Sequence, residues 1–305
     1  MASPAAAELL PRALADRAES NAPWQTVVSF LRRSRSLAVG GSIVLVISLL
    51  ALFAPQLSPA NPIEMNLSGV LLSPTAAHPL GTDDLGRDVL SRTLHGGRIS
   101  LLVGVFAVAV ALVVGSFLGL ISGYSGGTID NVVMRLLDAI LAIPALLLAV
   151  GIAAALGPKL ENVVIAVGLV YIPAFARLVR AQVLVVRQED FVTAARLGGA
   201  TWSRILRSHL LPNVTTPIIV LASLRVSSAI VAEASLSFLG LGAQPPTPTW
   251  GSMVNTGQRY LENAPWVAFG PGAAILLCIL GLSILGEGVR EMLDPHFQSR
   301  TGAGR

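Results

Sequence analysis

Charge is scarce in this chain: Asp, Glu, Lys and Arg make up only 12% of its 305 residues, whereas 53% are apolar. A soluble domain carries about twice that charged share, so the composition excludes an ordinary water-soluble fold and points to a polytopic membrane protein. Cysteine is almost missing. Cys278 stands alone inside an apolar run, which excludes an intrachain disulfide and leaves a small core residue as the simplest reading. Lys159 is the only lysine, set between Pro158 and Leu160. A phosphate-cradling loop needs Gly-Lys-Ser/Thr, so the chain has no such nucleotide site, and any process driven by ATP must take it from another subunit. The histidines His78, His95, His209 and His296 fall in separate polar segments, with no H-E-x-x-H or G-x-S-x-G arrangement. That pattern argues against an intramembrane enzyme.

What is present is a succession of apolar runs long enough to cross a bilayer as helices. They cover about 37–53, 99–123, 129–156, 162–178, 216–236 and 266–285, which predicts an all-α membrane domain over 37–295 with six transmembrane helices. The first run would be about 25 Å long at helical rise, just enough to span the hydrocarbon. Residues 1–36 precede it as an arm in which Trp24, Val27, Val28, Phe30 and Leu31 have helical spacing and lead into Arg32, Arg33 and Arg35. Such a segment reads as a helix lying along the membrane surface. A secretory signal fits less well, because the apolar core begins late and no small-residue cleavage site follows it.

The arginines before the first span hold its start in the cytoplasm. Six crossings return the chain to the same side, so both termini, including the tail 296–305, are expected inside. On this map Arg87, Arg92, Arg98, Lys159 and Arg259 lie outside, Arg225 lies within the membrane, and every other basic residue lies inside.

Several features stand out along the chain. In the external segment 55–97, Thr82 or Asp83 is placed to cap a short amphipathic helix with Leu85, Val89, Leu90 and Leu94 on one face. The neighbouring Asp83, Asp84 and Asp88 lack the alternating ligands and closing glutamate of a calcium loop, and read instead as capping and solvated charge. The second span carries Gly115, Gly119 and Gly123 at four-residue spacing, a bare stripe that lets another helix approach closely. Pro144 predicts a kink in the third span and Pro173 lies inside the fourth. Arg225 sits near the middle of the fifth span, where a charge costs roughly 2.5 to 3.5 kcal/mol. It is therefore expected to face the protein interior or a water-filled path. Asp138 is its candidate partner at similar depth, with Arg135 competing for that carboxylate, and Glu233 lies nearer the outer end. Asp138, Arg225 and Glu233 are the candidate lining of a pathway.

The one long polar, arginine-bearing stretch between apolar runs is residues 190–213, DFVTAARLGGATWSRILRSHLLPN. Ala194, Ala195 and Leu197 favour a helix, Gly198 and Gly199 break it, Thr201 or Ser203 can cap the next, and Pro212 opens another. Thr193-Ala194-Ala195, three residues, Gly199, nine residues, then His209-Leu210-Leu211-Pro212 resembles the EAA loop of bacterial ABC-importer permeases. Residues 78–101, the Gly/Pro-rich loop 236–254 and Arg290 to Pro295 resemble the C-type subunit of dipeptide, oligopeptide and nickel importers. Thr193 stands where that family has an acidic residue, which removes whatever the carboxylate does there.

The resemblance implies the ABC type I importer permease fold and a non-catalytic subunit of a peptide importer in the bacterial cell membrane. It implies that Thr193, Ala194, Ala195, Gly199, His209, Leu211 and Pro212 dock an ATPase subunit. The implied partners are a second, B-type permease, two ATPase subunits that bind ATP and Mg, and an external peptide-binding protein. No cofactor or metal is implied for this chain itself. A channel or secondary transporter is the rival class. It would show charges in several spans and an inverted repeat, and no repeat is visible.

Overall fold

The structure, a computed structural model, describes residues 34–293. The surface helix expected around Trp24 to Arg33, the tail 296–305 and the end of the segment reaching Pro295 lie outside the described residues. Helices α1 (Arg35–Leu52), α2 (Val89–Ser125), α3 (Gly127–Leu141), α4 (Ala145–Leu156), α5 (Leu160–Val186), α6 (Asp190–Leu197), α7 (Trp202–Phe238), α8 (Trp250–Gln258) and α9 (Trp266–Leu293) follow in order. Five of them are long and apolar enough to cross a membrane, and α3 with α4 makes a sixth if that bent pair counts as one span.

The pairing of α2 with α5 is the centre of the bundle, and glycine makes it possible. A Cβ placed on Gly115 would stand 2.6 Å from Phe175 Cβ, on Gly119 2.5 Å from the Ala176 carbonyl oxygen, and on Gly123 2.9 Å from Val183 Cβ. The predicted stripe therefore lets two backbones come into contact, where dispersion between closely packed helices replaces the hydrophobic force that lipid does not supply. Helix α1 docks on α9 by the same device. A Cβ on Gly40 would meet Leu285 N at 2.3 Å, and one on Gly288 would meet Leu37 N at 2.5 Å. Helix α7 packs against α2 and α9, and α8 lies across α7 and α9.

Several boundaries differ from expectation. The third span is not one kinked rod: α3 and α4 are separated at residues 142–144 and bent by 91°, with Pro144 standing at the N-cap of α4. Helix α2 begins ten residues before the expected span and runs unbroken for 37 residues, about 55 Å at helical rise. Its cap is Asp88, which accepts from Ser91 N at 2.7 Å, and not Thr82 or Asp83. There is thus no separate short helix ahead of the span. The helix runs unbroken through Gly96-Gly97, two residues of low helix propensity. Here Trp250, 2% exposed, fits against the bare helix face, a Cβ on Gly97 would touch its ring at 2.7 Å, and its indole N–H donates to the Thr93 carbonyl at 2.9 Å.

Helix α5 likewise continues past the expected span end, carrying Arg177 and Arg180 within it. Pro212 does not open a new helix either. The chain runs on from Trp202, and the residues Leu206–Leu210 just before the proline widen into a π-turn. Proline has no N–H to give and its ring crowds the preceding turn, so a wider turn absorbs it without a break.

The segment before α2 is tightly built. Asp83 and Asp88 are 4% and 2% exposed, so they are not solvated charges. Asp83 accepts from Arg87 Nε at 2.7 Å and lies 3.3 Å from Arg92 Nε, while Asp88 also meets His78 Nδ1 at 2.9 Å. Among the described residues no group of His, Cys, Asp or Glu is arranged to hold a metal ion.

Candidate functional site

Helix α6 and the first turns of α7 form a hairpin at the end of the bundle where α2 finishes. One side of it is anchored. Val192, Ile205 and Leu210 are 0 to 1% exposed and belong to the main apolar core. The other side is bare: Leu197 is 84% exposed, and Thr193, Ala194, Gly199, Leu211 and Pro212 are all exposed, with Ala195 and His209 half-buried. The hairpin is held rigidly enough to present a shape, and the presented face is left uncovered.

Gly199 makes the turn. Its φ of +77° is a conformation that glycine adopts freely and L side chains adopt poorly. Nothing lies within 4 Å of where its Cβ would be, so backbone conformation alone selects glycine here. Gly199 N and Ala200 N donate to the Arg196 and Ala195 carbonyls at 3.1 and 3.0 Å, closing the end of α6. Thr201 is the N-cap residue of α7 by position, although its side chain makes no capping bond. His209 stacks obliquely on Phe191 with ring centroids 6.3 Å apart, and its carbonyl accepts from Asn213 Nδ2 at 2.6 Å.

Two residues that sequence reasoning passed over join the hairpin to α2. Tyr124, one residue from the end of α2, has Trp202 edge-on with centroids 6.1 Å apart, and Arg196 places its guanidinium carbon 5.8 Å from the tyrosine ring centroid. Helices α6 and α7 thus each hold one side of the ring that terminates the glycine-striped helix. Beside it, Asp130 of α3 receives Arg180 through Nε at 2.5 Å and Nη2 at 2.6 Å, and also bonds Ser122. Arg187 Nη1 donates to the Gly123 carbonyl at 2.8 Å. The arginines that read only as markers of sidedness therefore lock α2, α3 and α5 together beneath the hairpin. An aromatic next to a Gly-rich turn and a lone aspartate three residues after that turn were the signals available.

The residues proposed for a pathway do not form one cluster. Asp138 pairs with Arg177 of α5 at 2.5 Å and not with Arg225, which corrects the expected partnership. The bend after α3 explains it, because that helix does not run alongside α7 as a straight third span would. Glu233 is fully buried, its Oε1 accepting from Ser237 at 2.6 Å. Arg225 has neither carboxylate. It stacks on Tyr171 of α5, 5.5 Å from guanidinium carbon to ring centroid. Next to Tyr171 is a cleft of about 320 Å³ lined by α4, α5 and α7, including Ala149, Val170, Tyr171, Ser228, Val231 and Ser235.

Comparison with known proteins bears on this geometry. The family described as binding-protein-dependent transport system inner membrane component matches residues 115–299. The N-terminal transmembrane domain of oligopeptide transport permease C matches residues 22–74. The dipeptide transport system permease protein DppC of Alkalihalophilus pseudofirmus is 44% identical over 93% of each chain. The di/tripeptide transport system permease protein DppC of Pseudomonas aeruginosa is 46% identical over 86% of this chain and 89% of its own. The glutathione transport system permease protein GsiD of Pectobacterium atrosepticum is 43% identical over 91% of this chain and 92% of its own.

Proposed function

The chain belongs to the family of binding-protein-dependent transport system inner membrane components and is a non-catalytic, multi-pass permease subunit of the peptide-importer type; on that premise we propose that it forms half of a peptide pathway and is driven through the α6–α7 hairpin. The observation that carries the proposal is the two-sidedness of that hairpin, with a buried anchor on Val192, Ile205 and Leu210 and a protruding face around Leu197 and Gly199. A face so bare and so well supported suits a groove on another protein better than contact with water. We assign that groove to an ATPase subunit, with the hairpin in the cytoplasm and Thr193, Ala194, Ala195, Gly199, His209, Leu211 and Pro212 at the contact.

The working assembly in the bacterial inner membrane pairs this chain with a second permease, two ATPase subunits that bind ATP and Mg, and an external binding protein. Residues 37–295 are its membrane domain, with 1–36 and 296–305 as cytoplasmic ends. The cargo is a short peptide, as the names of the dipeptide, di/tripeptide and glutathione relatives suggest. Movement of a docked ATPase would reach the spans through Tyr124, because Arg196 and Trp202 grip it from the two arms of the hairpin.

The test is reconstitution of the five-subunit assembly in liposomes, with uptake of labelled dialanine followed against ATP hydrolysis. Uptake that needs both ATP and the binding protein is expected. Uptake that proceeds down a gradient without either would refute the proposal and favour a channel.

A further inference from the structure

Arg225 is a cation in the middle of α7 with about 20 Å of helix on either side of it, counting from Leu211 and Phe238. Among the described residues it makes no hydrogen bond and no ion pair, and its guanidinium carbon lies 5.5 Å from the centroid of the Tyr171 ring. None of the acids Asp130, Asp138 and Glu233 pairs with it: Asp138 is held by Arg177, Asp130 by Arg180 and Ser122, and Glu233 is bonded by Ser237 at Oε1 while its Oε2 is buried without a partner. An unpaired charge at that depth is expensive and is tolerated only where it faces a cavity or a partner. A guanidinium lying over an aromatic ring still directs its N–H groups outward in its own plane, where they can receive a carboxylate through two bonds.

The cleft beside it supplies the rest of a site. Tyr171 lines the cleft and carries Arg225 on its ring. Ser228 and Ser235 place hydroxyls along the same wall, while Ala145, Leu146, Ala149, Val167, Val170 and Val231 keep the remainder apolar. Its volume of about 320 Å³ lies at the small end of the range for ligand pockets. It is a predominantly apolar cleft with a few polar groups, and one of its lining residues, Tyr171, carries the Arg225 guanidinium on its ring. That chemistry matches a short peptide, whose side chains are neutral or apolar and whose terminus is an anion.

We propose that Arg225, held by Tyr171, binds the terminal carboxylate of the peptide as it passes through the cleft between α4, α5 and α7. The proposal rests on the importer reading above and adds the residue and the chemical group by which the membrane domain recognises its cargo. No covalent step is involved. A carboxylate from the second permease is the competing source of the same chemistry, and the experiment separates the two.

Ser228→Cys places a thiol in the cleft close to Arg225, and the native Cys278, 1% exposed, serves as a buried background. The complete assembly in membranes is treated with a water-soluble, negatively charged thiosulfonate, with and without vanadate trapping, in the presence of dialanine or dialanine amide. The expected result is labelling that dialanine slows at about tenfold lower concentration than the amide, the difference a charge-assisted bond supplies. Arg225→Gln in the same chain should abolish the difference and Arg225→Lys should retain part of it. The acid-against-amide comparison needs no change at Arg225, so it stands even if the glutamine variant does not insert.

Equal protection by acid and amide, or protection by neither, overturns the proposal. So does a thiol out of reach of the aqueous reagent in both states, since the cleft would then be covered by lipid or by the second permease. Uptake of dialanine is measured on the same preparation. If uptake is ATP-driven and protection is absent, this inference alone fails. If ATP-driven uptake is absent, the importer reading fails with it.

Discussion

Gly199 separates two reasons why a glycine can be needed, and only one of them applies. Its φ is +77°, and nothing lies within 4 Å of the position a Cβ would take. Steric exclusion by neighbours therefore contributes nothing, and any penalty comes from the backbone. For an ordinary L residue the left-handed conformation costs about 1 to 2 kcal/mol, and for a β-branched residue it is a genuine outlier. If the docking shape requires that turn, Gly199→Ala should lower the population of the competent hairpin by roughly 5- to 30-fold and Gly199→Val by more. Gly199→Asn should recover much of the loss, since Asn visits this region readily. Apparent affinity for the ATPase subunit falls by the same factor as the competent population. Insertion and thermal stability should hardly change, because α6 and α7 are anchored through Val192, Ile205 and Leu210 rather than through the turn. The assay is ATPase binding to the permease pair in nanodiscs for Gly, Asn, Ala and Val at position 199, with Gly151→Ala as a control where a Cβ also meets nothing within 4 Å but φ is ordinary. An order of affinity that followed side-chain volume and not tolerance of positive φ would refute the reasoning, as would wild-type binding by Gly199→Val.

Tyr124→Ala removes the ring gripped by Arg196 and Trp202, so ATP hydrolysis should persist while peptide uptake per ATP falls several-fold, with Tyr124→Phe close to wild type; equal ratios in both would show that the ring transmits nothing. Arg180→Ala leaves Asp130, 8% exposed, without its cation, and should cost about 1 to 3 kcal/mol once the partial exposure of Arg180 is allowed for. Pairing it with Asp130→Asn should restore part of that loss in thermal melts, and a double variant less stable than the single would contradict the account. For sidedness, thiols introduced at Asp84 and Pro246 should label from outside intact cells and one at Ser203 should not; an externally labelled Ser203 would invert the topology.

How far the structure was legible beforehand depends on whether the determinant was local. Runs of apolar residues are local, and five of them fall within helices long and apolar enough to cross a membrane, while the third is broken between α3 and α4. The stripe Gly115, Gly119 and Gly123 repeats on one helix face, so its consequence, backbone contact with α5, could be read without knowing which helix would arrive. Gly199 was legible for the same reason, because the demand for positive φ belongs to the residue itself. Gly40 and Gly288 were not. Gly40 stands beside Gly41 in α1 and Gly288 is one of five glycines in α9, with no four-residue stripe to single either out, and the need for each arises only when α1 and α9 come together from opposite ends of the chain.

The misread positions have the same cause. Pro212 is a breaker by intrinsic propensity, yet it sits inside continuous helix after a widened turn, and the short helix expected ahead of the second span merges into α2, where Gly96-Gly97 receives the ring of Trp250 from more than a hundred and fifty residues away in sequence. Asp138 was matched to Arg225 by depth along two imagined straight rods. Depth is a valid guide only while both rods are parallel, and the 91° bend between α3 and α4 removes that condition, handing Asp138 to Arg177. What remains after these reassignments is informative in itself. With Asp130 and Asp138 held by other arginines and Glu233 bonded to Ser237, Arg225 has no carboxylate among the described residues, and α7 keeps it against the ring of Tyr171, which lines a cleft. A membrane helix that retains such a charge turns it toward water or a counter-charge, and under the proposal above the carboxylate of the peptide supplies that counter-charge.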